Sequence, residues 1–110
     1  MSKLKDTMKP ERWVLIKTND INGENYNRVL AYFESNHTGR PSWRLSEPTK
    51  KEKQGAFGVE YTDTQGFVYD CNYKREGFND FLADKYDRLE HEQRKLFSRQ
   101  IKVITAGDTA

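Results

Sequence analysis

The clearest alternation of hydrophobic and polar positions lies in the middle of the chain, in two short stretches. Residues 57–61 and residues 67–71 each place an apolar side chain at every second position, beginning at Phe57 and at Phe67. Because side chains on a strand point alternately to opposite faces, this pattern predicts two half-buried strands with Phe57 and Phe67 on their apolar faces. The polar residues 62–66 between them end in glycine. A glycine with positive φ suits the last position of a hairpin loop, so the two strands are expected to form a hairpin.

The other apolar runs predict further strands. In residues 12–17, four apolar residues lie between the charged residues Arg12 and Lys17, which predicts a central strand covered on both faces. Residues 26–33 could form a short helix, but their β-branched and aromatic content favours a second strand, antiparallel to the first. Residues 43–45 predict a third strand, and residues 101–104 predict a short edge strand. Residues 47–55 contain a proline and several charges, which predicts a solvated loop or a protruding hairpin end.

One amphipathic helix is expected in the last third of the chain. Phe78, Leu82, Tyr86 and Leu89 recur at steps of four and three residues, which is the spacing of one helical face. The stripe is expected to pack on the sheet; alternatively, its outer half, residues 89–97, projects and meets a partner. The predicted fold class is therefore α+β, with a small antiparallel sheet of four to five strands and one C-terminal helix packed on it.

Length and composition indicate a single small domain. The chain has 110 residues, of which 35% are hydrophobic and 33% charged, and its aromatic share of 13% supplies the large side chains that a thin core needs. Residues 1–10 and 105–110 have little to bury and are expected to be loose tails. A formal net charge of +2 falls short of the strongly basic surface of a dedicated duplex binder.

Residues that could carry catalysis are sparse. Cys71 is the single cysteine, which excludes an internal disulfide, and its position in a strand favours a buried neutral thiol. His37 and His91 are far apart in sequence, and the glutamates beside His91 would point away from it on a helix, so no metal site is indicated. A dyad of Cys71 with either histidine is the remaining catalytic alternative. The sequence predicts a protein that is not an enzyme and has no metal or cofactor.

The chain shows no sign of export or membrane insertion. No stretch resembles a signal peptide, and no apolar run approaches the length of a membrane span. Together with the single cysteine, these features predict a reducing, cytoplasmic setting and no membrane partner.

The loop of residues 34–42 is the most suggestive stretch for ligand binding. It places His37 and Arg40 among small polar residues just before Trp43 and Arg44. Such donors beside an exposed aromatic ring can hold a phosphate or stack a base. The alternative is an ordinary polar connection in which Trp43 faces inward and seals the core. Because Trp43 alternates with a leucine across Arg44, this second interpretation is favoured.

Four segments of the chain carry a resemblance to a known group of proteins. They are Arg-Trp-Val-Leu-Ile-Lys at residues 12–17, Arg-Val-Leu-Ala at 28–31, Ser-Trp-Arg-Leu-Ser at 42–46 and Gly-Phe-Val-Tyr-Asp-Cys at 66–71. In this order they resemble a group of small, uncharacterised accessory proteins of tailed bacteriophages, which have a Ser-Trp-Arg-Leu segment and a Val-Tyr-x-Cys hairpin. The chain departs from the group at residues 32–33, Tyr-Phe in place of Gly-Trp, and at residues 64–66, Thr-Gln-Gly in place of Ser-Gly-Ser. The resemblance implies a phage accessory protein in the cytoplasm of an infected bacterium, and it implies no activity.

Two functions of different classes fit these observations. The first is a non-enzymatic accessory protein or inhibitor that binds a host protein, such as an enzyme or a defence complex, through aromatic and arginine anchors. Its candidate binding residues are Arg40, Arg44, Tyr73 and Arg75. The alternative is a nucleic-acid or nucleotide-binding module that uses an aromatic and basic sheet face together with the loop around His37. The near-neutral charge favours protein binding, and the oligomeric state is left open.

Overall fold

In the computed structural model, two four-stranded sheets face each other and one helix covers the outer side of the first sheet. The structure describes residues 7–19, 24–34, 39–97 and 102–104. The strands are β1 (Thr7–Met8), β2 (Arg12–Asn19), β3 (Asn25–Phe33), β4 (Ser42–Leu45), β5 (Thr49–Gln54), β6 (Gly58–Asp63), β7 (Val68–Asn72) and β8 (Lys102–Ile104). A 3-10 turn at Tyr73–Arg75 leads towards helix α1, Asp80–Phe97. The predicted α+β class, with one helix packed on a sheet, is confirmed.

The two sheets differ in the direction of their strands. In the first sheet, whose order is β4-β3-β2-β8, each adjacent pair is antiparallel. In the second sheet, whose order is β1-β7-β6-β5, the last three strands are antiparallel and β1 runs parallel to β7. The expected single sheet is thus divided into two, because the apolar faces of the two sheets cover each other.

Strand β2 explains why the sheets and the helix form three layers. Trp13 and Leu15 pack between the two sheets, whereas Val14 and Ile16 face the helix, and all four side chains are buried. A strand covered on both faces requires an apolar run without polar alternation. The prediction that residues 12–17 form a central strand is confirmed, since β2 lies between β3 and β8.

The core between the sheets is formed by large side chains from four strands. It consists of Trp13, Leu15, Val29, Ala31, Val59, Tyr61, Tyr69 and Cys71. The rings of Trp13 and Tyr61 meet edge to face with their centroids 6.1 Å apart. Such a contact adds about 1 kcal/mol to what the burial of the rings contributes. Aromatic rings therefore supply much of the core in a chain with few aliphatic residues.

Helix α1 packs on the outer face of the first sheet. Leu82 is fully buried against side chains of β2 and β3, and Tyr86 and Leu89 pack beside it. The side chain of Asn79 accepts a hydrogen bond from the Leu82 amide at 2.8 Å, which satisfies one free donor of the first turn. The predicted stripe therefore packs on the sheet as far as Leu89, whereas Phe78 precedes the helix and is 40% exposed.

Two segments that were not assigned as strands contain them, one predicted as a solvated loop or a protruding hairpin end and one as a loose tail. Residues 47–55 include β5, whose lysine and glutamate side chains are exposed at the edge of the second sheet. Charged side chains suit an edge strand because they discourage pairing with other chains. In the expected N-terminal tail, Thr7–Met8 pairs with β7, and Met8 packs on the core. Pro10, in the same expected tail, is buried. Residues 1–6 and 105–110, also predicted as tails, lie outside the described residues, as does position 101 of the predicted edge strand.

Polar side chains at one end of the sandwich bind one another. This Arg28 end consists of Thr18, Arg28, Ser46, Glu47 and Asp63. Arg28 donates hydrogen bonds to the Thr18 hydroxyl at 3.0 Å and to the Ser46 carbonyl at 3.2 Å. Its guanidinium also lies 3.7 Å from the Glu47 carboxylate. The buried Ser46 hydroxyl accepts from a β3 amide and donates to the Glu47 carbonyl, both at 2.8 Å. These bonds join the first sheet to the connection that leads into the second.

Asp63 organises the turn between β6 and β7. Its fully buried carboxylate accepts hydrogen bonds from the amides of Gln65 and Phe67, each at 3.0 Å. The Glu47 amide lies 3.4 Å from its second oxygen. Backbone donors of this kind stabilise a buried carboxylate. Gly66 follows with φ of 92°, which confirms the predicted positive φ at this position.

Candidate functional site

Three shallow depressions adjoin one another at the other end of the sandwich, and Asn72 lines all of them. Their volumes are about 330, 250 and 350 Å³. The depressions lie along the backbone segments 9–12, 53–60 and 70–75, and the surface that the exposed side chains of these segments form is called the Asn72 end. Strand β2 connects the two ends of the sandwich, because it begins at Arg12 beside Asn72 and passes Thr18 beside Arg28.

Phe57 is the most exposed of the large hydrophobic side chains in the described part of the chain, at 79%. It lies in the β5–β6 turn, where the Gly55 amide donates a hydrogen bond to the Gly58 carbonyl at 2.8 Å. The Phe57 carbonyl accepts from the Tyr73 amide at 2.9 Å, which holds two exposed aromatic residues on adjacent backbone segments. The expectation that Phe57 belongs to the apolar face of a strand was wrong. Strand β6 begins only at Gly58, and the turn carries Phe57 beyond the edge of the core.

Gly58 allows this turn to approach β7 closely. A Cβ atom at Gly58 would lie 2.3 Å from the carbonyl oxygen of Cys71, a distance that no side chain tolerates without movement of the backbone. At Gly55, in the same turn, the nearest atom to such a Cβ would be 3.6 Å away. The position of Phe57 therefore depends on glycine at residue 58 and not at residue 55.

Asn72 fixes the 3-10 turn that follows β7. Its side chain accepts a hydrogen bond from the Lys74 amide, and its carbonyl accepts one from the Trp13 indole, both at 2.8 Å. Because Trp13 belongs to the buried core, the turn is joined directly to the core. Arg75 and Glu11 form an exposed ion pair at 2.7 Å across the same surface. The exposed side chains of the Asn72 end thus stand on a backbone that is held by hydrogen bonds.

Charged side chains around Asn72 fall into two groups. On β6 and β7, Glu60 and Asp70 lie directly opposite each other, and Lys53 is opposite Glu60 on β5. Like charges at opposed positions repel each other. The depression of about 250 Å³ is lined by Asn72 and by four charged residues, Glu11, Arg12, Lys74 and Arg75. Carboxylates thus predominate on one side of Asn72 and cations on the other.

The structure brings together two of the five residues that the sequence nominated for binding. Arg75 lines two of the depressions, and Tyr73 lies in the same 3-10 turn with its amide bound to the Phe57 carbonyl. Arg40 is exposed before β4 and lines none of the three depressions. His37 lies outside the described residues. The most exposed member of the surface, Phe57, was missed, and the glycines on either side of it are the signal in the sequence that indicates a turn.

Arg44, also nominated for binding, joins the two sheets. Its Nε donates a hydrogen bond to the hydroxyl of the buried Tyr69 at 2.7 Å. Its guanidinium lies over the Phe67 ring, 4.2 Å from the centroid. Burial raises the pKa of Tyr69, and the bond to Arg44 opposes part of that rise. Arg44 therefore has a structural role, and its role in binding stays a prediction.

Trp43 is 39% exposed, so the interpretation that it seals the core was wrong. The Lys85 ammonium on α1 lies 5.6 Å from the Trp43 ring and 5.0 Å from the Phe81 ring. Since β4 is an edge strand, the helix covers only part of the Trp43 side chain. Trp43 and Arg44 point to opposite faces of the sheet. The two side chains therefore do not contact a ligand from the same face of β4, and the nucleic-acid alternative itself stays a prediction.

The thiol of Cys71 is buried in the core between the sheets. Burial raises the pKa of this thiol far above its ordinary value, and the carboxylates of Asp70 and Glu76 raise it further. The prediction of a buried thiol is confirmed, and a thiol in this environment stays protonated and unreactive at neutral pH.

Neither a metal-binding cluster nor a membrane-spanning helix occurs in the part of the chain that the structure describes. Within residues 7–19, 24–34, 39–97 and 102–104, no three His, Cys, Asp or Glu side chains are grouped so that they could hold a metal ion. Of the helical segments described, none is long and apolar enough to cross a membrane.

The resemblance to phage accessory proteins rests on short segments, most of which form strands β2, β3, β4 and β7 of this fold. These segments supply core and inter-sheet contacts, so they carry information about the fold and none about a ligand. The resemblance stays a prediction. No protein-family model, no curated protein and no solved structure matches this chain.

Proposed function

We propose that this protein is a non-enzymatic accessory protein or inhibitor that binds another protein through the Asn72 end. The observation that supports this most strongly is the 79% exposure of Phe57 on a turn whose backbone is held by hydrogen bonds. Aromatic side chains on a rigid support contribute large contact area to an interface and lose little conformational entropy on binding. Phe57 is therefore the expected anchor of the contact.

Tyr73 and Arg75 complete the proposed contact surface. Tyr73 is 36% exposed and its amide is bound to the Phe57 carbonyl, and Arg75 lies two residues further along the same turn. Tyrosine and arginine are among the residue types that most often dominate binding energy at protein interfaces. The charged residues around them suit the polar rim of such an interface.

The partner proposed is a protein of a bacterial host, such as an enzyme or a component of a defence complex. This follows from the resemblance to tailed-phage accessory proteins. A domain of this size can inhibit a larger protein by covering a functional surface, for which one well-packed patch is sufficient. The expected site of action is the bacterial cytoplasm.

The substitution Phe57→Ala tests the proposal. The tagged full-length chain captures its partner from a nuclease-treated bacterial lysate, and the captured protein is identified by mass spectrometry and purified. In calorimetric titration, Phe57→Ala should weaken binding by about 30-fold or more, as expected for a central aromatic anchor. Because Phe57 is exposed, the free energy of unfolding should change by less than about 0.5 kcal/mol.

Trp43→Ala is the matched control, since Trp43 is also an exposed aromatic residue but lines none of the three depressions. It should bind the partner as the wild type does. Undiminished binding by Phe57→Ala would refute the Asn72 end as the contact surface. Loss of all captured protein on nuclease treatment would favour the nucleic-acid alternative.

A further inference from the structure

We infer that the partner presents an acidic segment to the Asn72 end, with a carboxylate beside an apolar side chain. The carboxylate enters the depression of about 250 Å³ that is lined by Glu11, Arg12, Asn72, Lys74 and Arg75, called here the Arg12 depression. The apolar side chain packs on Phe57 and Tyr73. The inference rests on the proposed function and adds the chemistry of the partner to it.

Cations outnumber carboxylates among the residues that line the Arg12 depression. The lining contains three cations, Arg12, Lys74 and Arg75, and one carboxylate, that of Glu11. The Glu11 carboxylate forms an ion pair with Arg75 at 2.7 Å. Among the residues that the structure describes, neither Arg12 nor Lys74 has an ion-pair partner. Two cations that share one concave surface produce a positive potential, which attracts a negatively charged group.

Asn72 adds a directional donor to the two cations. Its side-chain oxygen accepts a hydrogen bond from the Lys74 amide. The nitrogen of the same amide group carries two donor hydrogens, and Asn72 lines the Arg12 depression. A carboxylate has two acceptor oxygens, so it can bind this amide and a neighbouring cation together.

The apolar half of the segment is assigned by the position of Phe57. Phe57 lines the depression of about 330 Å³, which shares Asn72 with the Arg12 depression. One short segment can therefore contact both depressions. An apolar side chain of the segment would shield Phe57 from water, which is favourable in proportion to the apolar area that is covered.

The carboxylates beside Phe57 favour a protein segment over a nucleic acid. Glu60 and Asp70 also line the depression that contains Phe57, where they outnumber the single cation Lys53, and they face each other across β6 and β7. A nucleic-acid strand carries a phosphate at every nucleotide, so a strand that stacked on Phe57 would bring phosphates against these carboxylates. A protein segment can place its acidic group in the Arg12 depression and keep its apolar side chain next to Phe57.

A random dodecapeptide display library, selected on the immobilised full-length chain, tests the inference. The recovered peptides should contain aspartate or glutamate next to an apolar residue. After synthesis and fluorescent labelling, they should bind the double variant Arg12→Glu/Lys74→Glu about tenfold or more weakly than the wild type by anisotropy. Their affinity for the wild type should fall as salt is raised. The neutral variant Arg12→Gln/Lys74→Gln should give a smaller loss.

The double variant Lys50→Glu/Lys51→Glu is the matched control, because it makes the same charge change at two exposed positions of β5 that line none of the three depressions. It should bind the peptides nearly as the wild type does. Circular dichroism of each variant checks that the fold is retained.

Three results would overturn the inference. The first is the recovery of no peptides, or of peptides without acidic residues, and the second is equal binding by the wild type and Arg12→Glu/Lys74→Glu. The third is binding of a labelled oligothymidylate that is lost in Arg12→Glu/Lys74→Glu, which would assign the Arg12 depression to a nucleic acid. If Phe57→Ala weakened peptide binding while Arg12→Glu/Lys74→Glu did not, the acidic chemistry would be refuted and the proposed function would stand.

Discussion

The two ends of the sandwich are built from similar residue types that have different partners. At the Arg28 end, the guanidinium of Arg28 and the carboxylate of Asp63 bind groups of the chain itself, and Asp63 is fully buried. At the Asn72 end, the Arg75 side chain makes an ion pair that is exposed to water, and Phe57 is 79% exposed. The backbone is held by hydrogen bonds at both ends, so the ends differ in what their side chains contact.

This difference shows why residue type alone does not identify a binding residue. A charged group whose hydrogen bonds are buried stabilises the fold, because its loss leaves buried donors or acceptors unpaired. An exposed ion pair contributes little to stability and can be exchanged for contacts with a partner. Arginines at the two ends should therefore respond differently to the same substitution, and the three predictions below test this comparison.

The largest effect is expected at Asp63. The substitution Asp63→Ala removes the acceptor of the Gln65 and Phe67 amides and should lower the free energy of unfolding by about 3 kcal/mol, measured by urea denaturation. Asp70→Ala is the control, because Asp70 is half-buried and faces Glu60 across the strands. It should have little effect or a slight stabilising one. Equal losses in the two variants would contradict the distinction between the ends.

A smaller loss is expected from Gly58→Ala, which tests whether the Asn72 end has a rigid backbone. The added Cβ would meet the Cys71 carbonyl at 2.3 Å, so the turn must shift, and the free energy of unfolding should fall by about 2 kcal/mol. Gly55→Ala, in the same turn, meets its nearest atom at 3.6 Å and should be nearly neutral. If both variants had wild-type stability in urea, the turn that carries Phe57 would be flexible and the proposed anchor poorly supported.

The smallest effects on stability are expected when the same substitution, arginine to methionine, is made at each end of the sandwich. Arg28→Met removes the hydrogen bonds to Thr18 and Ser46 and should lower the free energy of unfolding by about 1 kcal/mol. Arg75→Met removes only an exposed pair and should leave thermal and urea unfolding nearly unchanged, while it weakens partner binding. The opposite order of stability losses would mean that the Arg75–Glu11 pair has a structural role.

Most strands and the helix could be predicted from local patterns. Two-residue alternation at Val59 and Tyr61, and the steps of three and four from Leu82 to Leu89, report which side chains face a core. The division into two sheets could not be predicted, because alternation shows that a strand has an apolar face but not which other face covers it. Strand β5 was missed for a related reason, since its stability comes from pairing with β6 and its own side chains are almost all exposed.

The candidate site was predictable only in part. Tyr73 and Arg75 were nominated from residue type and position, and the fold brings them together with Phe57. Phe57 was assigned to a core because it continues the alternation of β6, although the strand begins one residue after it. Arg44 was nominated for the same chemical reasons as Arg75, yet Arg44 lies between the sheets. A sequence pattern does not report where an edge or an end of the folded sheet lies.

The sequence by itself determined the α+β class, the central strand β2, the hairpin turn at Gly66, the buried thiol of Cys71 and the apolar face of α1. Each of these depends on the order of residues within a few turns or strand positions, which is where local backbone preferences act. The tertiary structure alone decided that the sheets form a sandwich and that Phe57 is exposed beside Tyr73. It also decided that Arg28 and Arg44 donate hydrogen bonds to groups of the chain itself. These features depend on contacts between residues far apart in the chain, so they exist only once the sheets and the helix have packed.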